Sequence, residues 1–225
     1  MTGPLIVAID GPSGAGKSSA ARALAARLGV PYIDTGAMYR AVGLAARERG
    51  VALPIDDPET VAAIAEAARI ELVPVPEGNR ILLDGRDVSA AIREPAISLY
   101  ASAVSAIPAV RRALVAEQRR LGRERGGVME GRDIGTRVFP DTPFKFFLTA
   151  DTPVRAQRRT RELADRGTPQ PYEDVLRDME KRDRDDGSRA DSPLTLDDRY
   201  VLIDSTGRPL PAVVEEIERR VREAI

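Results

Sequence analysis

The sequence contains no cysteine and no histidine. Disulfide frameworks, Cys/His zinc sites, thiol nucleophiles and catalytic schemes built on imidazole are excluded together. Tryptophan is also missing, and five tyrosines and four phenylalanines are all the aromatics, too few for platforms that stack single-stranded nucleic acid. Neither charge sign dominates. Against 34 basic residues stand 35 acidic ones, a net of -1, so nothing marks the whole chain as a binder of polyanions or membrane surfaces. No stretch approaches about 18 apolar residues and the N-terminus lacks a basic region, so a soluble cytoplasmic protein with no membrane or nucleic-acid partner is expected. No hydrophobic seam argues for a dimer, and a monomer is expected.

What is present is a chain of 225 residues, enough for one α/β domain with insertions and a core that needs no metal or crosslink. Only three basic residues are lysines, Lys17, Lys145 and Lys181. The arginine excess reads as compositional bias except where arginines cluster at phosphate-binding spacing.

Leu5 to Ile9, closed by Asp10 and Gly11, predicts a buried strand. A helix is expected from Gly16 to Leu28 with Gly29 as its cap, then a strand from Pro31 to Asp34. Strand, helix and strand within about thirty residues form a βαβ unit and therefore a parallel sheet with a right-handed crossover. Further helices are predicted near Ala37, from Asp56-Asp57-Pro58-Glu59 to Ala68, from Glu94-Pro95 towards Ile107, and from Pro108 through Leu121. Between them, Glu71 to Val75 and Arg80 to Leu83 flank Glu77-Gly78-Asn79 as an antiparallel hairpin. Gly127 to Glu130 and Pro143 to Leu148 read as strands. A basic helix from Thr152 to Gly167, a charged helix ending at Lys181, a strand from Tyr200 to Asp204 and a helix from Leu210 complete the chain. The sum is a doubly wound α/β core with two excursions.

The most specific element is Gly11-Pro12-Ser13-Gly14-Ala15-Gly16-Lys17-Ser18-Ser19. It fits the GxxxxGK[ST] phosphate-binding loop and lies where that motif requires, after a strand and at the opening of a helix. Backbone amides can converge on a phosphate because the glycines impose no Cβ clash, and the helix start adds free amides and the positive end of its dipole. Lys17 brings a mobile charge to the β and γ oxygens, and the Ser18 hydroxyl suits Mg²⁺. The implied ligand is a magnesium nucleoside triphosphate.

Such a loop alone leaves GTPases, motor ATPases and many kinases open. Three further blocks narrow the field: Asp34-Thr35-Gly36-Ala37-Met38-Tyr39-Arg40, Gly131-Arg132-Asp133-Ile134-Gly135-Thr136, and Arg182-Asp183-Arg184-Asp185-Asp186-Gly187-Ser188-Arg189. With GPSGAGKSS they span most of the chain and closely resemble the bacterial cytidylate kinase family. The resemblance implies a P-loop nucleoside monophosphate kinase fold and transfer of the γ-phosphate of MgATP to CMP or dCMP. It also implies an enlarged monophosphate-binding insert over about 36–100, a lid with a charged helix over about 151–190, and a core made of 1–35, 101–150 and 191–225. Thr35, Ser102, Arg111, Asp133, Arg182, Asp186 and Arg189 fall where that family handles cytosine, sugar and acceptor phosphate, with Arg40 and Arg132 on the phosphate side. Thr35 stands where a serine is common and keeps the hydroxyl.

Taken by themselves, these residues leave alternatives. Arg155, Arg158 and Arg159 sit on a predicted helix at spacings that share a face. They suit neutralisation of transferred phosphate, or a solvated basic face balanced by Glu162 and Asp165. Arg182, Asp186 and Arg189 line one stripe if the helix continues that far, as a nucleotide reader or as exposed ion pairs. Asp34 and Asp133 follow strands, where carboxylates meet Mg²⁺ waters or ligand hydroxyls, or cap helices. Ser102 and Arg111 carry no motif strength alone. A monophosphate oxygen is already ionised near neutral pH and can attack without a general base, which suits a chain without histidine. Rival functions are a kinase for another small acceptor, such as UMP or a metabolite alcohol with Asp34 as base, and a nucleotide-switch protein, whose guanine-reading NKxD element is missing.

Overall fold

The computed structural model describes residues 3–76 and 78–225. Five strands form a parallel sheet: β1 (Ile6–Asp10), β2 (Tyr32–Asp34), β6 (Gly127–Gly131), β7 (Phe144–Thr149) and β8 (Val201–Asp204), in the order β2-β6-β1-β7-β8. Strands β1, β2, β6 and β7 are mostly apolar because helices cover both faces, with Asp10, Asp34, Glu130 and Lys145 as the charged exceptions. Alternate residues of β1 serve two cores. Val7 and Ile9 face α1 (Lys17–Leu28) and α8 (Leu210–Glu223), packing with Leu24, Phe146, Val213 and Ile217. Ile6 and Ala8 face α2 (Thr35–Glu48), α4 (Pro95–Ser105) and α5 (Pro108–Arg125), through Met38, Val104 and Leu114.

After α2, helix α3 (Pro58–Ala67) is capped by Asp57, whose carboxylate accepts from the amides of Glu59 and Thr60. It leads into an antiparallel sheet of β3 (Ile70–Val75), β4 (Gly78–Leu83) and the short β5 (Arg86–Asp87). Its apolar face, with Ile70, Leu72, Ile81 and Leu83, joins the α2 side of the core. Helices α6 (Thr152–Asp165) and α7 (Tyr172–Gly187) pair with each other through Ala156, Leu163, Val175 and Met179. No single helix among the described residues is long and apolar enough to cross a membrane.

Four expectations shift. Gly16 is a left-handed cap at φ 90°, and the helix begins at Lys17. Helix α2 begins two residues earlier than expected, at Thr35, because the Asp34 carboxylate accepts the Ala37 amide at 2.9 Å. In the hairpin, Gly78 and Asn79 belong to β4, paired with Val75 and Pro74. Asn79 donates to the Tyr32 carbonyl at 2.9 Å, and the third turn residue expected there, Glu77, lies outside the described residues. Helix α7 runs past Lys181 to Gly187, extended by the Lys181–Asp185 pair at i, i+4.

The register sets where chemistry can happen. Asp34 pairs with Glu130, Glu130 with Ile9, and Asp10 with both Gly131 and Phe147. Every parallel strand therefore delivers its carboxyl end, often an acidic residue, to the same edge, where ligands of open α/β sheets bind.

Candidate active site

The loop between β1 and α1 is shaped by glycines. At Gly11, φ is 144° and a Cβ would lie 2.0 Å from the Leu148 carbonyl oxygen of β7, so no side chain fits. At Gly16 a Cβ would meet nothing, and its φ of 90° is the constraint. Helix α1 then starts with free amides facing the loop. Lys17 is buried and folds back, its Nζ donating to the Pro12 carbonyl at 2.7 Å. Burial, reinforced by Arg132 and partly offset by Glu130, holds its pKa well below the usual lysine range.

Beside the loop stand two carboxylates from adjacent strands. Glu130 is buried and accepts the Tyr32 hydroxyl at 2.5 Å. Burial and then the neighbouring Asp34 raise its pKa, while Lys17, Ser18 and Tyr32 oppose the rise. Asp34 caps α2 and also lies 3.7 Å from Arg93. The Thr35 hydroxyl donates to the Glu130 carbonyl at 2.6 Å, which ties the start of α2 to the end of β6.

Opposite the loop lies a group of guanidiniums. Arg132 donates through Nε to Asp186 at 2.7 Å, and Arg189 binds the other oxygen of the same carboxylate. One buried aspartate thus serves two arginines, and their attraction, with that of Arg182, outweighs burial and lowers its pKa. Arg182 has no such partner: its buried Nε makes no hydrogen bond. Burial first, then Arg132, Arg40 and Arg189, bring its pKa down to about 9, with Asp186 opposing in part. Nearby, Arg111 is buried, bonded to Asp133 and stacked 5.6 Å from the Tyr39 ring centre.

These groups line one cleft of about 630 Å³. A roomier groove of about 830 Å³ lies between α3, β3 and α5, but no comparable set of buried charges faces it. The cleft gathers Ser13, Gly14, Gly16, Lys17, Ser18 and Ser19 from the loop; Gly11, Pro12 and Ala15 form the loop's spine behind it. Among the other expected residues, Asp34, Thr35, Arg40, Arg111, Arg132 and Asp133 line it, as do Arg182, Asp186 and Arg189.

Outside the loop, two expected residues do not line it. Ser102 is absent from the lining, and its carbonyl accepts the Ser105 hydroxyl at 2.8 Å; α4 presents Ser98, Ala101 and Ser105. Arg155 lies behind the loop, buried, donating to the carbonyls of Ala150 and Ser13 at 2.8 and 3.0 Å and to Asp183 at 2.6 Å. Of the three arginines of α6, only Arg158 and Arg159 thus line the cleft. Arg158 reaches the cleft but grips Ser205 through both its hydroxyl and its carbonyl, and Arg159 pairs with Glu162 at 2.9 Å.

Several residues of the cleft escaped the sequence reading: Glu130, Tyr32, Tyr39, Arg93, Ser105 and Arg166. Glu130 had a usable signal, since it closes an apolar strand directly before GRDIGT, just as Asp34 closes β2. Arg93 and Arg166 stand on unremarkable stretches and had none.

A phosphate-binding loop on the central strand of a five-stranded parallel sheet, facing a cluster of arginines across a cleft, defines a P-loop phosphotransferase. Comparison with known proteins narrows this. The family model described as Cytidylate kinase matches residues 7–223, and the chain belongs to that family. It is 48% identical over 96% of its length to the cytidylate kinase of Caldanaerobacter subterraneus subsp. tengcongensis, covering 94% of that protein. It is 45% identical to that of Symbiobacterium thermophilum, covering 98% of this chain and 97% of the relative. A bifunctional pantoate ligase/cytidylate kinase of Synechococcus sp. matches at 45% over 98% of this chain and 41% of its own length. Among solved structures, an uncharacterized protein from Eubacterium ventriosum shares the fold, with a TM-score of 0.54 at 13% identity over 97% of this chain and 98% of that one.

Proposed function

We propose that this chain transfers the γ-phosphate of MgATP to CMP or dCMP, giving ADP and CDP or dCDP. The observation that carries the reading is Arg182. A guanidinium with a buried, unpartnered Nε among Arg132, Arg40 and Arg189 is an unfavourable arrangement until an anion enters. Lys17 faces the same space from the other side. The cleft therefore has cationic walls on both sides, suited to a triphosphate end to end with a monophosphate.

In this reading the loop from Gly11 to Ser19 holds the triphosphate, and Lys17 leaves Pro12 to meet its β and γ oxygens. Arg40, Arg132, Arg182 and Arg189 hold the acceptor phosphate. Arg111 and Asp133 face the base with a donor fork and an acceptor, a pairing that can match a ring carrying both an amino group and a carbonyl. An ionised oxygen of the acceptor attacks the γ-phosphorus as its bond to the β–γ bridging oxygen breaks, and no proton need be removed first. The protein's contribution is alignment, charge neutralisation and exclusion of water.

The donor set fits a magnesium ion. Ser18 offers a hydroxyl, and Asp34 and Glu130 crowd each other's charge in a way a cation relieves. No group of three or more acidic ligands that could hold a metal occurs among the described residues, which suits an ion held mainly by phosphate oxygens and water. When bound, it would neutralise charge on the β and γ oxygens. The segment 36–100 acts as the monophosphate-binding insert, and 151–190 as the lid that closes over both nucleotides.

An initial-rate screen at fixed MgATP with CMP, dCMP, UMP, AMP and a sugar alcohol tests this. CMP and dCMP are expected to lead. A higher kcat/KM with the alcohol would instead favour a metabolite kinase.

A further inference from the structure

Asp10 is the last residue of β1, directly before Gly11, and is fully buried. It is absent from the cleft lining. Its bonds all lead elsewhere. Oδ1 accepts the Ile134 amide at 2.9 Å, and Oδ2 accepts the Gly135 amide at 2.8 Å and the Tyr200 hydroxyl at 2.7 Å. Those amides open a single π turn, Ile134–Val138, that follows immediately on Arg132 and Asp133. Single π turns are rare and are frequent at functional sites.

The contact has little slack. A Cβ at Gly135 would lie 2.7 Å from the Tyr200 oxygen and 3.0 Å from Lys145 Cγ. Tyr200 is held in turn by an edge-on contact with Phe147 of β7, ring centres 6.0 Å apart. One carboxylate therefore joins the strand that feeds the phosphate loop, the turn that directly follows Arg132 and Asp133, and the residue just before β8.

We propose that Asp10 is a positioning residue that fixes the Arg132–Asp133 segment at its working distance from the triphosphate loop, through Ile134, Gly135 and Tyr200. This rests on the acceptor-side reading of Arg132 and Asp133 given above. The anchor is also titratable. Burial pushes the Asp10 carboxyl up to about 6, assisted by Asp133 and resisted by the two amides and Tyr200. Lys17 and Lys145, the cations that face it, favour its ionised form. Protonation converts an acceptor into a donor facing other donors, so the anchor loosens as the pH falls through that value.

The test uses the full chain, after the parent has been shown to phosphorylate CMP; a parent inactive on CMP would sink the functional reading and not this one. Asp10→Asn keeps the shape but turns one acceptor into a donor. It is expected to raise KM for CMP about tenfold, the worth of one charge-assisted bond, with KM for MgATP within about twofold. Tyr200→Phe keeps both amide bonds and removes the hydroxyl that lowers the Asp10 pKa. Its acid limb in kcat/KM for CMP should therefore move upward by about half a unit to one unit. Ionisation of CMP itself is common to parent and variant and cancels. Equal rises in both KM values for Asp10→Asn, or an acid limb unmoved in Tyr200→Phe, would overturn the proposal. Should Asp10→Asn fail to fold, the Tyr200→Phe limb alone decides.

Discussion

Arg132 and Asp186, 54 positions apart, are joined by a 2.7 Å bond from Nε to Oδ2. It links the strand-end turn of the core to α7, and Arg189 completes it from the far side of the same carboxylate. Asp186 is 1% exposed, so two guanidiniums depend on one buried charge for compensation. Asp186→Asn is expected to cost roughly 3 kcal/mol in urea unfolding at pH 7, as removal of one partner from a buried ion pair does. Its carboxyl is held below the usual range. The stability it adds is thus present above the unfolded carboxylate value and is lost as pH falls through the lower folded one.

Arg182 should behave in the opposite way. Because it is crowded by like charge and its Nε has no partner, Arg182→Ala is expected to leave the free protein's unfolding midpoint unchanged or raised. The same change should lower kcat/KM for CMP by about 10²-fold. A large loss of stability with activity retained would show that this arginine holds the fold and not an anion.

Lys17→Ala removes the loop's only full charge. Turnover of MgATP with CMP should fall by about 10³-fold or more, measured by coupled assay, with the melting temperature within a few degrees of the parent. Near-normal turnover would reject the triphosphate assignment of the loop.

Stability should also report on Asp10. Its folded pKa of about 6 exceeds the unfolded value of 3.8, so the native state binds the extra proton between those values and stability falls as pH rises across that window. The fall is on the order of 3 kcal/mol. Asp10→Asn should flatten that part of the curve in denaturant titrations from pH 4 to 7; an identical slope in the variant would contradict it.

How far the sequence reaches is shown by particular residues. Gly11, Gly16 and Lys17 were legible because a loop between a strand and a helix is set by neighbours in the chain. The cap at Asp34 is equally local, three residues from the amide it accepts. Arg155 was misplaced because its partners Ser13 and Asp183 lie 142 and 28 positions away, and helix spacing says nothing of them. Glu130 carried a local signal at the end of its strand, but its partnership with Asp34 depends on the register of β2 against β6. Asp10 read as the end of a strand; only the folded chain brings Gly135 and Tyr200 to it. The family resemblance alone supplied Ser102, and the residues of α4 that line the cleft are Ser98, Ala101 and Ser105.

In the free enzyme the arginines and the acceptor site are incomplete, so MgATP alone should be hydrolysed slowly and CMP should accelerate its consumption strongly. Following all nucleotides by chromatography or phosphorus NMR in one mixture of MgATP and CMP tests the central claim most directly. The account predicts ADP and CDP appearing one for one as CMP disappears; ADP accumulating with inorganic phosphate while CMP stays intact would contradict it.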